Sequence, residues 1–168
     1  MNDQDVRAAL IAGGVPAQDL DGDPSNHVAA YSSLFDPPGA ETLGRCLSDA
    51  LRSHRPTRVV VWEDIENSVL AHIVARQLGV TALRIIDASG VLDYDGFFGA
   101  DDRVVIIADA FRNDFPINAM RALTENQGGQ VVAFGALLNT PALVDAAGSV
   151  PVETVWGTRQ PGGGSASS

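Results

Sequence analysis

The chain has 168 residues, 45% of them apolar, which is the size of one domain with a core of its own. All 11 basic residues are arginines, so the lack of lysine excludes Schiff-base chemistry and a P-loop lysine. The 21 acidic residues give a net charge of -10, which disfavours binding to nucleic acid and to anionic membranes.

The chain has a single cysteine, Cys46, which excludes an internal disulfide and a multi-cysteine metal site. This usage is typical of a reduced compartment, and the acidic start of the chain is unlike a secretory signal. No apolar run is long enough to span a bilayer. We therefore expect a soluble cytoplasmic protein.

Apolar periodicity and turn residues divide the first half of the chain into elements. The pattern predicts a helix over 3–11, a loop over 19–24, a short strand over 27–31 and a turn over 36–39. It then predicts a helix over 40–53, a strand over 58–62, a helix over 68–78 and a strand over 82–86. The strand over 58–62 is a continuous apolar run, which favours burial on both faces.

The second half begins with a glycine-punctuated, irregular flap over 90–102. A strand over 103–108, a helix over 116–126, a strand over 130–138, a short helix from Pro141 and an edge strand over 152–155 follow. This alternation predicts an α/β fold, a doubly wound parallel sheet with helices on both faces. Residues 1–158 form one predicted domain, and the glycine- and serine-rich stretch 159–168 is a predicted disordered tail.

Ligands of such sheets bind beyond the carboxyl ends of the strands. Two polar loops fall there: the first loop, which follows the strand over 58–62, and the second loop, which follows the strand over 103–108. The first contains Glu63 and Asp64, and the second contains Asp109, Arg112, Asn113 and Asp114. We expect these six residues to form the ligand site, and the sequence assigns no catalytic residue among them.

The order and spacing of these elements resemble the type I phosphoribosyltransferase family over about residues 31–155. In that family an apolar strand runs into two acidic residues and then a hydroxyl- and glycine-rich loop that cradles the 5'-phosphate of phosphoribosyl pyrophosphate. The run Val150-Pro151-Val152 resembles the start of the family's hood strand. The resemblance implies a small hood, formed by the N- and C-terminal segments, over the sheet.

This sequence departs from the family's motifs at the phosphate sites. The second acid is kept as Asp109, but Ala108 replaces the first. Asp114 stands at the position of the cradle's glycine and Pro116 at that of its last hydroxyl. Proline removes an N–H that would bind phosphate, and an aspartate adds a like charge. Just before the flap, Asp87-Ala88 stands where the family commonly has a basic pair that helps to hold the pyrophosphate.

Each candidate residue also has a plain structural interpretation. For Asp109 the two interpretations are a residue that orders ribose hydroxyls, as the resemblance implies, and an ordinary polar residue at the end of a strand. Arg112 binds an anionic ligand, or forms a salt bridge with Asp114 or Asp109. Asp114 is favoured as the cap of the helix over 116–126. Glu63 and Asp64, together with Glu66, could hold Mg²⁺, or could be a solvated run of charge.

Three functions remain open. The acidic loops favour a protein of phosphoribosyltransferase fold with altered phosphate loops, acting as a non-catalytic binding or regulatory subunit. The alternative is an active phosphoribosyltransferase that transfers ribose 5-phosphate to a base-like substrate, with Mg²⁺ bridging the first loop to pyrophosphate. The third is an enzyme of unrelated chemistry on the same fold. The ligand expected in the first case is small and anionic or nucleoside-like.

Tyr94, Phe97 and Phe98 cluster in the predicted flap, where no core of its own is expected. Exposed apolar clusters often mark interfaces. We therefore predict a homodimer, or a contact with a protein partner, through these aromatic side chains.

Overall fold

A computed structural model of the chain describes residues 2–21 and 31–157. The helices are α1 (Asp3–Ala12), α2 (Ala17–Asp21), α3 (Pro37–Leu51), α4 (Ile65–Leu78), α5 (Ile117–Asn126) and α6 (Pro141–Ala147). The strands are β1 (Arg58–Trp62), β2 (Thr81–Ala88), β3 (Val91–Tyr94), β4 (Arg103–Ala110), β5 (Gln130–Leu138) and β6 (Val152–Trp156). No helix in these two ranges is long and apolar enough to cross a membrane.

The six strands form one mixed sheet in the order β3-β2-β1-β4-β5-β6. Every neighbouring pair is parallel except β2 and β3, which form an antiparallel hairpin at one edge. The order reverses direction between β1 and β4, so this is a doubly wound sheet and confirms the predicted fold class. The two central strands, β1 and β4, are mostly apolar, and their inner residues are buried.

Alternate side chains of the central strands pack into two hydrophobic cores, one on each face of the sheet. Val59, Val61, Val105 and Ile107 pack with α1, α3 and α4 on one face. The residues between them on β1 and β4 pack with α5 and α6 on the other. Helices therefore cover both faces, as the alternation of elements predicts.

The N-terminal helices reach the C-terminal strand, which itself pairs with β5 as the second edge of the main sheet. The indole N–H of Trp156 donates to the carbonyl of Leu20, at the end of α2.

The loop predicted over 19–24 is wrong for its first part, since α2 continues to Asp21. The predicted strand over 27–31 falls outside the described residues except Tyr31, and the predicted tail over 159–168 falls entirely outside them.

The predicted flap contains a strand that the sequence pattern missed. Ser89 and Gly90 both adopt positive φ, at 59° and 87°, and so form a tight turn that folds β3 back onto β2. Tyr94 is only 6% exposed and donates or accepts a hydrogen bond with Thr124 of α5. Phe98 packs edge-on against Tyr94 with ring centroids 4.7 Å apart.

The expectation of three exposed aromatics is therefore wrong for Tyr94, which is buried beside α5, and Phe98 is partly buried against the same core. The hairpin brings both rings back over the sheet, a long-range effect that composition alone does not reveal. Phe97 is 90% exposed. The contact predicted through Tyr94, Phe97 and Phe98 stays a prediction, with Phe97 as its most exposed member.

Candidate functional site

The candidate site lies where β1 and β4 end side by side in the sheet. β1 ends at Trp62 and is followed by the first loop, before α4 begins at Ile65. β4 extends to Ala110, two residues beyond its predicted end, and the second loop runs from there to α5. Because the two strands are parallel neighbours, both loops emerge at the same edge.

Asp109 is the buried carboxylate of this edge, only 4% exposed although it is charged in its ordinary state. Its Oδ2 lies 3.1 Å from Nη2 of Arg112. Burial raises the pKa of Asp109, and the Arg112 guanidinium and the Ala110 N–H oppose that rise only in part. The negative charge of Asp64 and of Glu66 adds to the rise.

Asn67 joins the two loops, and sequence reasoning missed it. Its side chain is buried, and its Oδ1 accepts a hydrogen bond of 2.8 Å from the backbone N–H of Asp109. Its Nδ2 donates to Asp64 Oδ2 over 2.6 Å, and its backbone N–H donates to Asp64 Oδ1 over 2.7 Å. The signal that could have revealed it is the helix-start pattern, with an aspartate cap followed three residues later by a polar side chain.

The acidic residues of the first loop are held by separate partners. Asp64 caps α4, which therefore starts three residues earlier than predicted. Glu66 accepts hydrogen bonds from the Ser32 hydroxyl and from the hydroxyl and N–H of Ser33, at 2.7 to 2.9 Å. Burial opposes ionisation of Glu66, but these bonds outweigh it and lower its pKa. Glu63 lies 4.0 Å from the Arg84 guanidinium.

The residues present do not offer Mg²⁺ a prepared site. Both carboxylate oxygens of Asp64 already accept hydrogen bonds from Asn67. Across residues 2–21 and 31–157 no group of three or more histidine, cysteine, aspartate or glutamate side chains is placed to hold a metal ion. A Glu63–Asp64 metal site stays a prediction.

Asp109 also faces the packed region between the sheet and helices α3 and α4. A cavity of about 10 Å³ remains there, lined by Tyr31, Ser33, Glu66 and Asp109 among others. That volume suits one water molecule. The Tyr31 hydroxyl is buried without a hydrogen-bond partner among the described residues, and burial raises its pKa to about 12.

The second loop turns its aromatic side chains inward and its polar side chains outward. Phe111 is fully buried, and Phe115 packs edge-on against it and against Trp62. Asn113 and Asp114 are exposed. Arg112 bonds to Asp109, which is one of the two carboxylates expected to pair with it.

Asp114 does not cap the following helix, so that expectation is wrong. α5 begins at Ile117, and Pro116 occupies the cap position with no side-chain hydrogen bond. The helix starts too far along the chain for the Asp114 carboxylate to take that place. The Ile117 N–H donates to the carbonyl of Phe115, and the N–H groups of Asn118 and Ala119 find no partner among the described residues. Both of these residues line an open cleft of about 510 Å³.

Three adenine phosphoribosyltransferases have structures like this one. The enzyme of Rhodothermus marinus matches with a TM-score of 0.68 and 18% identity, over 92% of this chain and 98% of that chain. The Saccharomyces cerevisiae enzyme matches with a TM-score of 0.68 and 14% identity, over 92% and 99%. The Trypanosoma brucei enzyme, solved with AMP, pyrophosphate and ribose-5-phosphate, gives a TM-score of 0.67 and 15% identity over 92% and 80%.

The chain has the type I phosphoribosyltransferase fold. No protein-family model and no curated protein sequence matches it. At these identities the likeness concerns the backbone, so it confirms the resemblance at the level of the phosphoribosyltransferase fold. The role of each site residue has to be argued from its own contacts.

Within this phosphoribosyltransferase fold, the structure brings the predicted residues into two groups. Asp109 and Arg112 meet directly, and Asn67 connects Asp109 to Asp64. Asn113 and Asp114 stay on the exposed side of the second loop, and Glu63 turns toward Arg84 instead. The Ser32 and Ser33 contacts with Glu66 had no signal in the sequence, because they join segments more than thirty positions apart.

The raised pKa of Asp109 predicts a stability that depends on pH. Between its ordinary value of 3.8 and its raised value, the folded protein holds a proton that the unfolded chain has released. The contribution of Asp109 to the free energy of unfolding therefore falls as pH rises through that window. Asp109→Asn cannot ionise, so its stability relative to the unmodified protein should improve over the same range.

Urea unfolding of both proteins from about pH 3.5 to 7 measures this difference. Asp101→Asn, at an exposed position before β4, controls for the change in net charge. A stability difference between Asp109→Asn and the unmodified protein that stays constant with pH would contradict the raised pKa.

Proposed function

We propose that this phosphoribosyltransferase-fold protein is a non-catalytic binding or regulatory subunit that does not use phosphoribosyl pyrophosphate. The observation that carries the proposal is the second loop, whose only cation is already paired. Arg112 holds the buried carboxylate of Asp109 at 3.1 Å. A small ligand, either one that carries an anionic group or one that is nucleoside-like, then occupies the open side of this loop.

A 5'-phosphate that drew the whole Arg112 guanidinium to itself would break the Nη2 bond and leave Asp109 without its ion partner. A buried polar group deprived of its partner costs about 1–3 kcal/mol, and a charged one costs more. The exposed carboxylate of Asp114 would also repel the phosphate, and Pro116 has no N–H to donate to it. The three effects act in the same direction and oppose a 5'-phosphate at this loop.

The side of Asp109 that faces α3 and α4 offers no room for a ligand. Only about 10 Å³ remains between Asp109, Glu66 and Ser33, which is far too little for a ribose ring. Three hydrogen bonds from Ser32 and Ser33 hold the Glu66 carboxylate in that space. A ribose could therefore not reach Asp109 from this side.

Calorimetric titration with phosphoribosyl pyrophosphate and Mg²⁺ tests the proposal. We expect no binding tighter than about millimolar, equivalent to roughly -4 kcal/mol. The adenine phosphoribosyltransferase of Rhodothermus marinus, titrated in parallel, serves as the reference protein. Micromolar binding by this chain would overturn the proposal and support the active phosphoribosyltransferase that transfers ribose 5-phosphate to a base-like substrate.

A double variant, Asp114→Gly with Pro116→Thr, examines the second loop itself. It removes the like charge and restores an N–H at the start of α5. Affinity for inorganic phosphate should then rise above that of the unmodified protein. An unchanged affinity would mean that the backbone of the loop, and not only its side chains, differs from a phosphate cradle.

A further inference from the structure

The cleft of about 510 Å³ has two chemically different walls. The second loop and the start of α5 form one wall, with Arg112, Asn113 and Asn118. Helix α6 forms the other, with the carboxylate of Asp145. The α6 residues that flank Asp145 in the cleft are alanines, whose small side chains leave the space open.

The polar groups of both walls lack partners within the described part of the chain. Asp145, Asn113 and Asn118 make no side-chain hydrogen bond or ion pair there. Arg112 bonds to Asp109 through Nη2, and no other hydrogen bond of its guanidinium to the described residues is found. Arg112 and Asp145 face one cleft without pairing, so a ligand with two opposite charges could neutralise both.

We propose that this cleft binds a small zwitterion of the amino-acid class. Its carboxylate lies against the part of the Arg112 guanidinium that is not bonded to Asp109, so the Nη2 bond to Asp109 is kept. The N–H groups of Asn118 and Ala119 at the start of α5 add to the attraction. Its ammonium group lies against Asp145. The inference rests on the proposed non-catalytic function, since it gives the second loop a ligand other than phosphoribosyl pyrophosphate. A purely anionic ligand would instead face repulsion from Asp145.

Calorimetry with two sets of probes tests the ligand class. The first set is the common α-amino acids, and the second is glycine, β-alanine, γ-aminobutyrate and ε-aminocaproate, which separate the two charges by increasing distances. We expect saturable binding of at least one probe at about millimolar affinity or tighter. Its N-acetylated and amidated forms, which each lose one charge, should bind at least about tenfold more weakly. Absence of saturable binding by every probe would overturn the proposal.

Asp145→Asn locates the ammonium position. It should weaken the best probe by about tenfold or more, and it should not weaken the N-acetylated form, because the anion of that form is no longer repelled by the Asp145 charge. Asp101→Asn, which removes an exposed carboxylate outside the cleft, should leave the affinity unchanged. If Asp145→Asn and Asp101→Asn weakened binding equally, the loss would come from the change in net charge, and the proposal would be overturned. Asp145 is exposed on α6, so a matching melting temperature shows that the variant is folded.

The two proposals fail separately. Micromolar binding of phosphoribosyl pyrophosphate overturns the non-catalytic function whatever the amino-acid probes show. Failure of every amino-acid probe overturns the zwitterion site and leaves the calorimetry with phosphoribosyl pyrophosphate as it stands.

Discussion

Replacing Phe111 with alanine is expected to lower the free energy of unfolding by about 3–5 kcal/mol, the usual cost of removing a buried phenylalanine ring. Phe111 is fully buried at the start of the second loop. Its ring packs edge-on against Phe115 at 5.2 Å and Phe134 at 6.1 Å, so alanine would leave a cavity between β5 and the loop. Urea denaturation followed by tryptophan fluorescence measures the loss.

Phe97→Ala is the matched control, because the same ring is removed from a side chain that is 90% exposed. Its effect on stability should lie within about 0.5 kcal/mol. Similar losses in the two variants would contradict the packing described for the second loop.

Asn67→Ala should lower the free energy of unfolding by about 2–4 kcal/mol, since each buried polar group left unpaired costs about 1–3 kcal/mol. The change removes the acceptor of the Asp109 N–H and the donor to Asp64 Oδ2. Both loops are affected at once, because Asn67 is the side chain that joins them. Stability is measured by urea denaturation.

Hydrogen exchange separates this effect from general destabilisation. The Asp109 amide, which donates to Asn67, should lose more protection than amides near the middle of β4. Asn118→Ala, an exposed residue of α5, is the control and should change neither stability nor exchange in β4. Uniform loss of protection along β4 in Asn67→Ala would contradict a local link between the loops.

The sheet was largely predictable because its central strands are continuous apolar runs. The residues of β1 and β4 need burial on both faces, and this fixes their place in the middle of an α/β sheet. β3 was missed because Tyr94 is its one buried side chain, so its apolar pattern is weak. Its signal was local instead: Ser89-Gly90 is a turn dipeptide.

The site was predictable in position and less so in detail. Strand order places Asp109 beside the first loop, and a lone Arg112 near two aspartates predicts an ion pair. Which of the two carboxylates pairs with Arg112 could not be predicted from the sequence, since Asp109 is buried and Asp114 is exposed only in the folded chain. Glu66 illustrates the same limit, because its partners, Ser32 and Ser33, come from a distant segment.

The short hairpin strand also affects how copies of this protein behave in concentrated solution. β3 has only four residues, Val91–Tyr94, and its outer side offers few free backbone groups to another chain. Asp93 adds a negative charge to this edge, and two adjoining copies would bring these like charges together. A short, charged edge strand of this kind disfavours the addition of strands from other copies, which is how a sheet grows into a fibril. The hairpin thus protects a sheet whose interior strands, if exposed, would aggregate readily.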